Sequence, residues 1–225
     1  MAGRNIKTQA IVLRRTNYGE ADRILKILTP EGKMSVMAKG VRKEKSKLAG
    51  GVEMFSLSEV VLLQGKSEML TLTSAKAVEF YQNLLTNLDA LEVAAEILKK
   101  VSKAAEMVDN PGFFKLTVQT LRALNKKKDK SVVLTYFYFN LAALLGEQIN
   151  LYTDITGEKL KQGQTYAWES IEKALRPTTA GKISENEIKV MRLMLSAELS
   201  LVLKVTGIDK MVEELLFIAK SLNQM

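Results

Sequence analysis

A chain of 225 residues with no cysteine and no histidine has no disulfide, no thiolate or imidazole metal ligand, and lacks the commonest general base. Apolar residues make up 47%, enough for a sizeable core, and the net charge of +8 is unevenly placed. Residues 1–80 hold 14 Lys and Arg against 8 Asp and Glu, whereas residues 81–225 hold 19 against 17; a field concentrated in this way points to a polyanionic partner whose phosphates the cations neutralise.

The opening "MAGRNIKTQAIVLRRT" scatters basic residues and has no apolar run, so it does not read as a signal peptide. The longest uncharged stretch, residues 131–146, is shorter than the about 20 residues that span a bilayer. No membrane association and a cytoplasmic location are expected.

The first 80 residues read as short strands. "TQAIVLRR" is β-branched and apolar and ends on Arg14 and Arg15. "RILKILT" opens on Arg23 and stops at the turn "PEG". "KMSVMAK" opens on Lys33. "MFSLSEVVLLQ" is longer and is closed by "GKSE". In "EMLTLTSAKAV", Leu70 and Leu72 alternate with Thr71 and Thr73, the period of two of a half-buried strand. Five strands without a long helix suit a small closed antiparallel barrel of the OB type, which removes its own edges.

Between the third and fourth strands lies "AKGVRKEKSKLAGG", residues 38–51, with Lys39, Arg42, Lys43, Lys45 and Lys47 around a single acid, Glu44. Cations beside a curved sheet track a nucleic-acid backbone, and together with Arg14, Arg15, Arg23 and Lys33 they form the expected phosphate-contacting group. The bland alternative is a solvated basic loop. Tyr18 and Phe55 are the aromatic candidates for stacking on bases, and either fits a core equally well. Glu20 and Asp22 beside Arg23 read as an ion pair and a turn cap rather than a catalytic pair.

After Phe80 the period changes. "LDALEVAAEILKKVSKAAEMV" places Leu88, Leu91, Ala95, Leu98 and Val101 at helical spacing, "NPG" breaks it, and "FFKLTVQTLRALNKKK" resumes it. "SVVLTYFYFNLAALLG" is apolar nearly all round, as a central bundle helix is, with Gly146 as its C-terminal cap. Tyr136 to Phe139 read chiefly as core, with one ring free to line a groove. Residues 147–183 look irregular. "SENEIKVMRLMLSAELSLVLKVTG" opens with a capping box, Ser184 and Glu187, and "DKMVEELLFIAKSLN" closes the chain. The expectation is α+β: a five-stranded OB-fold nucleic-acid-binding domain over 1–80, then an all-helical domain over 81–225. Lys126, Lys127, Lys128 and Lys130 at a helix junction are either a second DNA contact, a dock for an acidic peptide, or cations favouring a helix C-terminus.

Residues 11–79 resemble the RecO family of DNA-repair recombination mediators, through "VLR…YGEADRIL…LT…GK.SVMAKGVRK.KSKL.G…F" and then "LTLTSA". "LAALLG", residues 141–146, is similar to the family's lead-in to its central region. The resemblance implies an OB-fold domain followed by a helical one, with no catalytic activity. It implies binding of single- and double-stranded DNA and annealing of complementary strands. It also implies work with RecR to load RecA onto DNA coated by single-strand-binding protein, whose acidic tail is a partner, and hence an association with the nucleoid. The chain departs from the family pattern in one place. Many relatives follow "LLG" with a four-cysteine zinc site beginning CxxCG; here "TDITG" puts Thr153 and Thr156 at the first two positions and keeps Gly157. Hydroxyls do not build a structural zinc site, so no metal or cofactor is expected, and residues 147–183 are left to packing alone or to mobility. Two other readings are an OB-fold RNA-binding factor and an interaction scaffold acting through its helices. No G-x-x-x-x-G-K loop is present, so annealing would draw on pairing energy alone.

Overall fold

The structure, a computed structural model, describes residues 4–65 and 69–223. The chain divides into two compact units, residues 1–126 and 127–225. The "GKSE" turn falls mainly on residues 66–68, outside the described residues.

The first unit begins with five strands, β1 (Arg4–Tyr18), β2 (Asp22–Thr29), β3 (Gly32–Ala38), β4 (Ser56–Gln64) and β5 (Leu70–Phe80). They close into a barrel in the order β1-β2-β3-β5-β4, antiparallel except where β3 meets β5 through Val36 and Leu70. Closure rests on the length of β1. Its first half pairs with β4 from Arg4 to Ile11 and its second half with β2 from Ile11 to Tyr18, with a bulge between Val12 and Arg14 that bends the strand. Side chains alternate as a pleated strand requires, so Ala10, Val12, Leu25, Ile27, Val36, Ala38, Val60, Leu62 and Leu72 fill the interior.

Three helices complete this unit: α1 (Gln82–Leu85), α2 (Leu88–Met107) and α3 (Gly112–Asn125). The Asn87 side chain caps α2 by accepting from the Ala90 N–H at 2.9 Å. α2 packs on β1 and β3 and α3 on β2, so Ile11, Leu13 and Leu28 are buried on the outer side of the barrel. The buried stripe of α2 is Ala90, Ala94, Ile97, Leu98, Val101 and Ala104. It is turned from the stripe its large residues suggest: Leu88 is 69% exposed and Ala95 is exposed, because small alanines face the neighbours at close range. The change from strand to helix near residue 80 is therefore not where the compact unit ends.

The second unit is built on α4 (Lys130–Leu144), with β6 (Tyr166–Glu169), β7 (Ala174–Pro177), α5 (Glu185–Ser196), α6 (Leu199–Val202) and α7 (Val212–Ser221). Asp129 caps α4, and α4 packs against α7 and α5. Tyr136, Phe137, Tyr138 and Phe139 are all buried, so none lines a groove. Gly146 takes a φ of 83° past the end of α4, the left-handed cap expected of it. The capping box of Ser184 and Glu187 forms at the start of α5. The helix it opens is shorter than its sequence suggests; α5 ends at Ser196, and α6 follows as a separate turn.

The region after α4 is irregular over much of its length, as its glycines suggest, but it contains one short hairpin that an all-helical reading does not include. β6 and β7 form a hairpin, with isolated bridges from Thr153 to Lys159 and from Tyr166 to Ile183. The Trp168 indole N–H donates to the Ser221 hydroxyl at 2.8 Å, tying the hairpin to α7.

Candidate nucleic-acid interface

The basic loop follows β3. Two valines, Val41 and Val52, belong to the barrel-interior cluster, and Leu48 packs half-buried against it. These apolar feet close one end of the barrel and leave the intervening side chains outward. Lys39, Arg42, Lys43, Lys45 and Lys47 are all exposed, as is Glu44. Backbone bonds hold the loop in consecutive turns: Lys43 N–H to Gly40 O at 3.1 Å, Ser46 N–H to Lys43 O at 3.0 Å and Gly51 N–H to Leu48 O at 3.1 Å.

The turn between β1 and β2 carries the loop. The Asp22 carboxylate accepts from the Gly40 N–H at 2.6 Å. The Arg42 N–H donates to Ala21 O at 2.9 Å, and its guanidinium donates to Gly19 O at 3.2 Å. Asp22 is thus a turn cap, as its sequence neighbourhood suggests, and "YGEAD" and the loop share one hydrogen-bonded frame. The two closing glycines differ. A Cβ at Gly50 would meet nothing within 4 Å, whereas one at Gly51 would lie 2.4 Å from the Ala75 carbonyl carbon. Gly51 lets the loop's last turn lie directly on β5.

The remaining expected residues are dispersed. Arg14 is exposed on the outer face of β1, opposite Lys26 of β2. Arg15 is half-buried and donates to the Glu53 carboxylate at 2.7 Å, just beyond the loop. Arg23 donates to the Asn17 side chain at 3.2 Å, across the strand pair that leads into the β1–β2 turn. Tyr18 ends β1 at that same turn and is 55% exposed, so the fold brings it, Arg23 and the loop cations to one end of the barrel.

Two expected residues point elsewhere. Phe55 is buried, with a φ of 59°, and its ring is core rather than a stacking platform. The Lys33 side chain is 9% exposed; its ammonium donates to the Ser102 carbonyl at 3.0 Å and pairs with Glu106. That bond, and then the charge of Lys33, hold the Glu106 carboxyl below its ordinary range. Lys33 fastens β3 to α2. A similar clasp joins β5 to α3, where the Arg122 guanidinium donates to both carboxylate oxygens of Glu79; the hydrogen bond lowers the Glu79 carboxyl pKa despite the opposing effect of burial.

The lysine cluster is divided between structural positions. Lys126 follows the end of α3 and Lys127 holds a φ of 55°, a strained turn for a non-glycine residue. Lys128 is exposed, and Lys130 is the first residue of α4 behind its cap Asp129.

Among the described residues no group of three or more His, Cys, Asp or Glu is placed to hold a metal ion. The segment at Thr153 and Thr156 does not fit zinc. The Thr156 hydroxyl donates to Asp154 at 2.6 Å, and the Thr153 hydroxyl accepts from the Asn150 amide at 2.6 Å. Asp154 also takes the Thr156 and Glu158 N–H groups at 2.8 and 3.2 Å, and the Thr156 hydroxyl leads the effects that lower its carboxyl pKa. A carboxylate thus gathers the turn's donors, so the segment is held by hydrogen bonds as well as packing.

Family models bear on the whole of this architecture. The model described as "Recombination protein O N terminal" matches residues 1–81, and "Recombination protein O C terminal" matches residues 82–219. A protein named DNA repair protein RecO from Dehalococcoides mccartyi (strain CBDB1) is 36% identical over 198 residues, covering 84% of this chain and 77% of its own length. The one from Roseiflexus sp. (strain RS-1) is 34% identical over 155 residues, 68% of this chain and 54% of its own. The one from Alkaliphilus metalliredigens (strain QYMF) is 35% identical over 144 residues, 63% and 58% respectively. Among the described residues no helix is long and apolar enough to cross a membrane.

Proposed function

The chain belongs to the RecO family of DNA-repair recombination proteins, and we propose that it acts there as a non-enzymatic mediator that binds DNA through the barrel and anneals complementary strands. The observation that carries this reading is the loop of residues 38–51: five cations turned outward on a backbone that the barrel core and the β1–β2 turn hold in place. Side chains presented from a fixed backbone lose less conformational freedom on meeting phosphates than those of a free loop.

The mechanism is electrostatic. Lys39, Arg42, Lys43, Lys45 and Lys47 neutralise backbone phosphates and release counterions, and Arg23 beside them adds to the field. Tyr18 offers an aromatic face to an unpaired base. Two strands held on such a surface repel one another less, so pairing nucleates, and pairing energy drives the rest without a nucleotide cofactor. The helical region supplies surfaces for RecR and for the acidic tail of single-strand-binding protein, through which RecA reaches coated DNA. The lysines at 126, 127, 128 and 130 are a candidate for the tail or for a second stretch of DNA. The site of action is the nucleoid in the cytoplasm.

A strand-annealing assay on complementary oligonucleotides precoated with single-strand-binding protein tests this. The full chain should accelerate duplex formation, more for DNA than for RNA of the same sequence. Folded protein that leaves the coated strands unannealed would remove the reading.

A further inference from the structure

A groove of about 300 Å³ runs between β1 and α2, at the small end of ligand-binding clefts. Its helical side is one face of α2: Ala95, Lys99, Ser102 and Glu106 recur at spacings of three and four residues. Its floor is apolar. Leu13 and Leu98 are buried beneath it, and Met54, just beyond the basic loop, packs between the groove and the barrel interior.

Three cations surround that floor. Arg14, Lys99 and Lys103 are exposed, and none has an ion-pair or hydrogen-bond partner among the described residues. The one acid in the lining, Glu106, is answered by Lys33. Lys26, across from Arg14, adds a further charge and donates to Ser35 at 2.6 Å. The groove therefore combines a rim of net positive charge, three lining cations against Glu106, with an apolar base, and through Met54 and the Arg15–Glu53 pair it adjoins the end of the basic loop.

We infer that this groove holds an unpaired nucleotide of a single strand whose flanking phosphates continue onto the basic loop. The phosphate meets Arg14, Lys99 and Lys103, and the base lies on Leu13, Leu98 and Met54. This rests on the barrel binding DNA, and it adds that single strands gain a contact duplex lacks, since a paired base has no free face to offer. The rim's charge suits a phosphate and an acidic peptide alike; continuity with the basic loop favours the nucleotide.

The experiment uses the full chain and fluorescein-labelled oligo-dT, measured by anisotropy against salt, beside a duplex of equal length. Lys99→Ala with Lys103→Ala should flatten the salt slope for oligo-dT by about 1.4, two contacts at about 0.7 each. Ala95→Trp, which fills the groove at an exposed helix position and removes no charge, should weaken oligo-dT binding about tenfold, the size of one lost base contact, and leave duplex affinity unchanged. Matching circular dichroism melts establish that both variants fold. If both variants bind oligo-dT as the parent does while alanines at Arg42, Lys43, Lys45 and Lys47 weaken it, the groove proposal is overturned and the loop reading stands. If the loop variant is also unchanged, the reading beneath it fails as well. Loss of an acidic peptide (glutamates ending in phenylalanine) without loss of oligo-dT overturns the proposal in favour of a peptide site.

Discussion

The paired glycines that close the basic loop make opposite predictions. In Gly51→Ala the new methyl would sit 2.4 Å from the Ala75 carbonyl carbon, 2.5 Å from its oxygen and 2.6 Å from its Cβ. Carbon atoms pack at about 3.5–4.0 Å, so the last turn of the loop must move about 1 Å away from β5. Neither partner yields easily. Ala75 is in the β4–β5 ladder opposite Val60, and Gly51 is followed by Val52, which is buried in the barrel. The φ of Gly51 is not left-handed, so the cost is overpacking alone, about 1–3 kcal/mol. At about 2–4 °C per kcal/mol for a chain of this size, melting should fall by roughly 2–12 °C. Gly50→Ala meets nothing within 4 Å and should melt within about 2 °C of the parent, tipped upward by its stiffer unfolded chain. Circular dichroism melts of the two variants make the comparison. Equal damage from both, or none from Gly51→Ala, would refute the claim that this loop is seated on the barrel by a close backbone approach.

Lys33→Met should destabilise the chain by about 1–3 kcal/mol in urea titration, by losing its charged hydrogen bonds to α2, yet leave the salt slope of DNA binding unchanged; a flattened slope would return Lys33 to the DNA contacts. The Glu79 carboxyl lies below its ordinary range in the folded chain, so its contribution is present above the unfolded value of about 4.3 and is lost as pH falls through the lower folded one. The stability gap between the parent and Glu79→Gln should therefore be constant near neutral pH and close on acidification below about pH 4; a gap that widens there contradicts the Arg122 clasp. Asp154→Ala should speed hydrogen exchange at the Thr156 and Glu158 amides, whereas a metal chelator should leave the melting curve of the parent in place; a chelator-induced shift would contradict the hydrogen-bonded account of this segment.

Patterns governed by local physics were legible. The period-two alternation of the strands, the capping box at Ser184 and Glu187, and the glycine end of α4 all follow from a few neighbouring residues. The basic loop was legible as a charge cluster, but its fastening to Asp22 and Ala21 was not, since those partners come from the start of β2 and the turn before it. Phe55 shows the limit for aromatics: burial is decided by tertiary packing, and its sequence neighbours do not distinguish a core ring from an exposed one. Lys33 shows it for charges, because Ser102 and Glu106 lie far along the chain. On α2 the large residues misled. Its close packing goes through Ala90, Ala94 and Ala104, which turns Ala95 outward with Lys99 and makes the groove. In residues 147–183 the missing cysteines left packing alone or mobility as the expectation, while Asn150 and Asp154 hold the turn through side-chain bonds that short polar residues favour.

The central claim is that the cations of residues 38–51 contact phosphate. Replacing Arg42, Lys43, Lys45 and Lys47 together with alanine leaves Val41, Leu48 and Val52, which seat the loop, in place. The measurement is oligo-dT affinity across a salt series for parent and variant. Four lost contacts at about 0.7 each should flatten the slope of log K against log salt by up to about 2.8, in a variant that stays folded although it lacks the Arg42 guanidinium bond to Gly19 O. An unaltered slope from a folded variant would contradict the account.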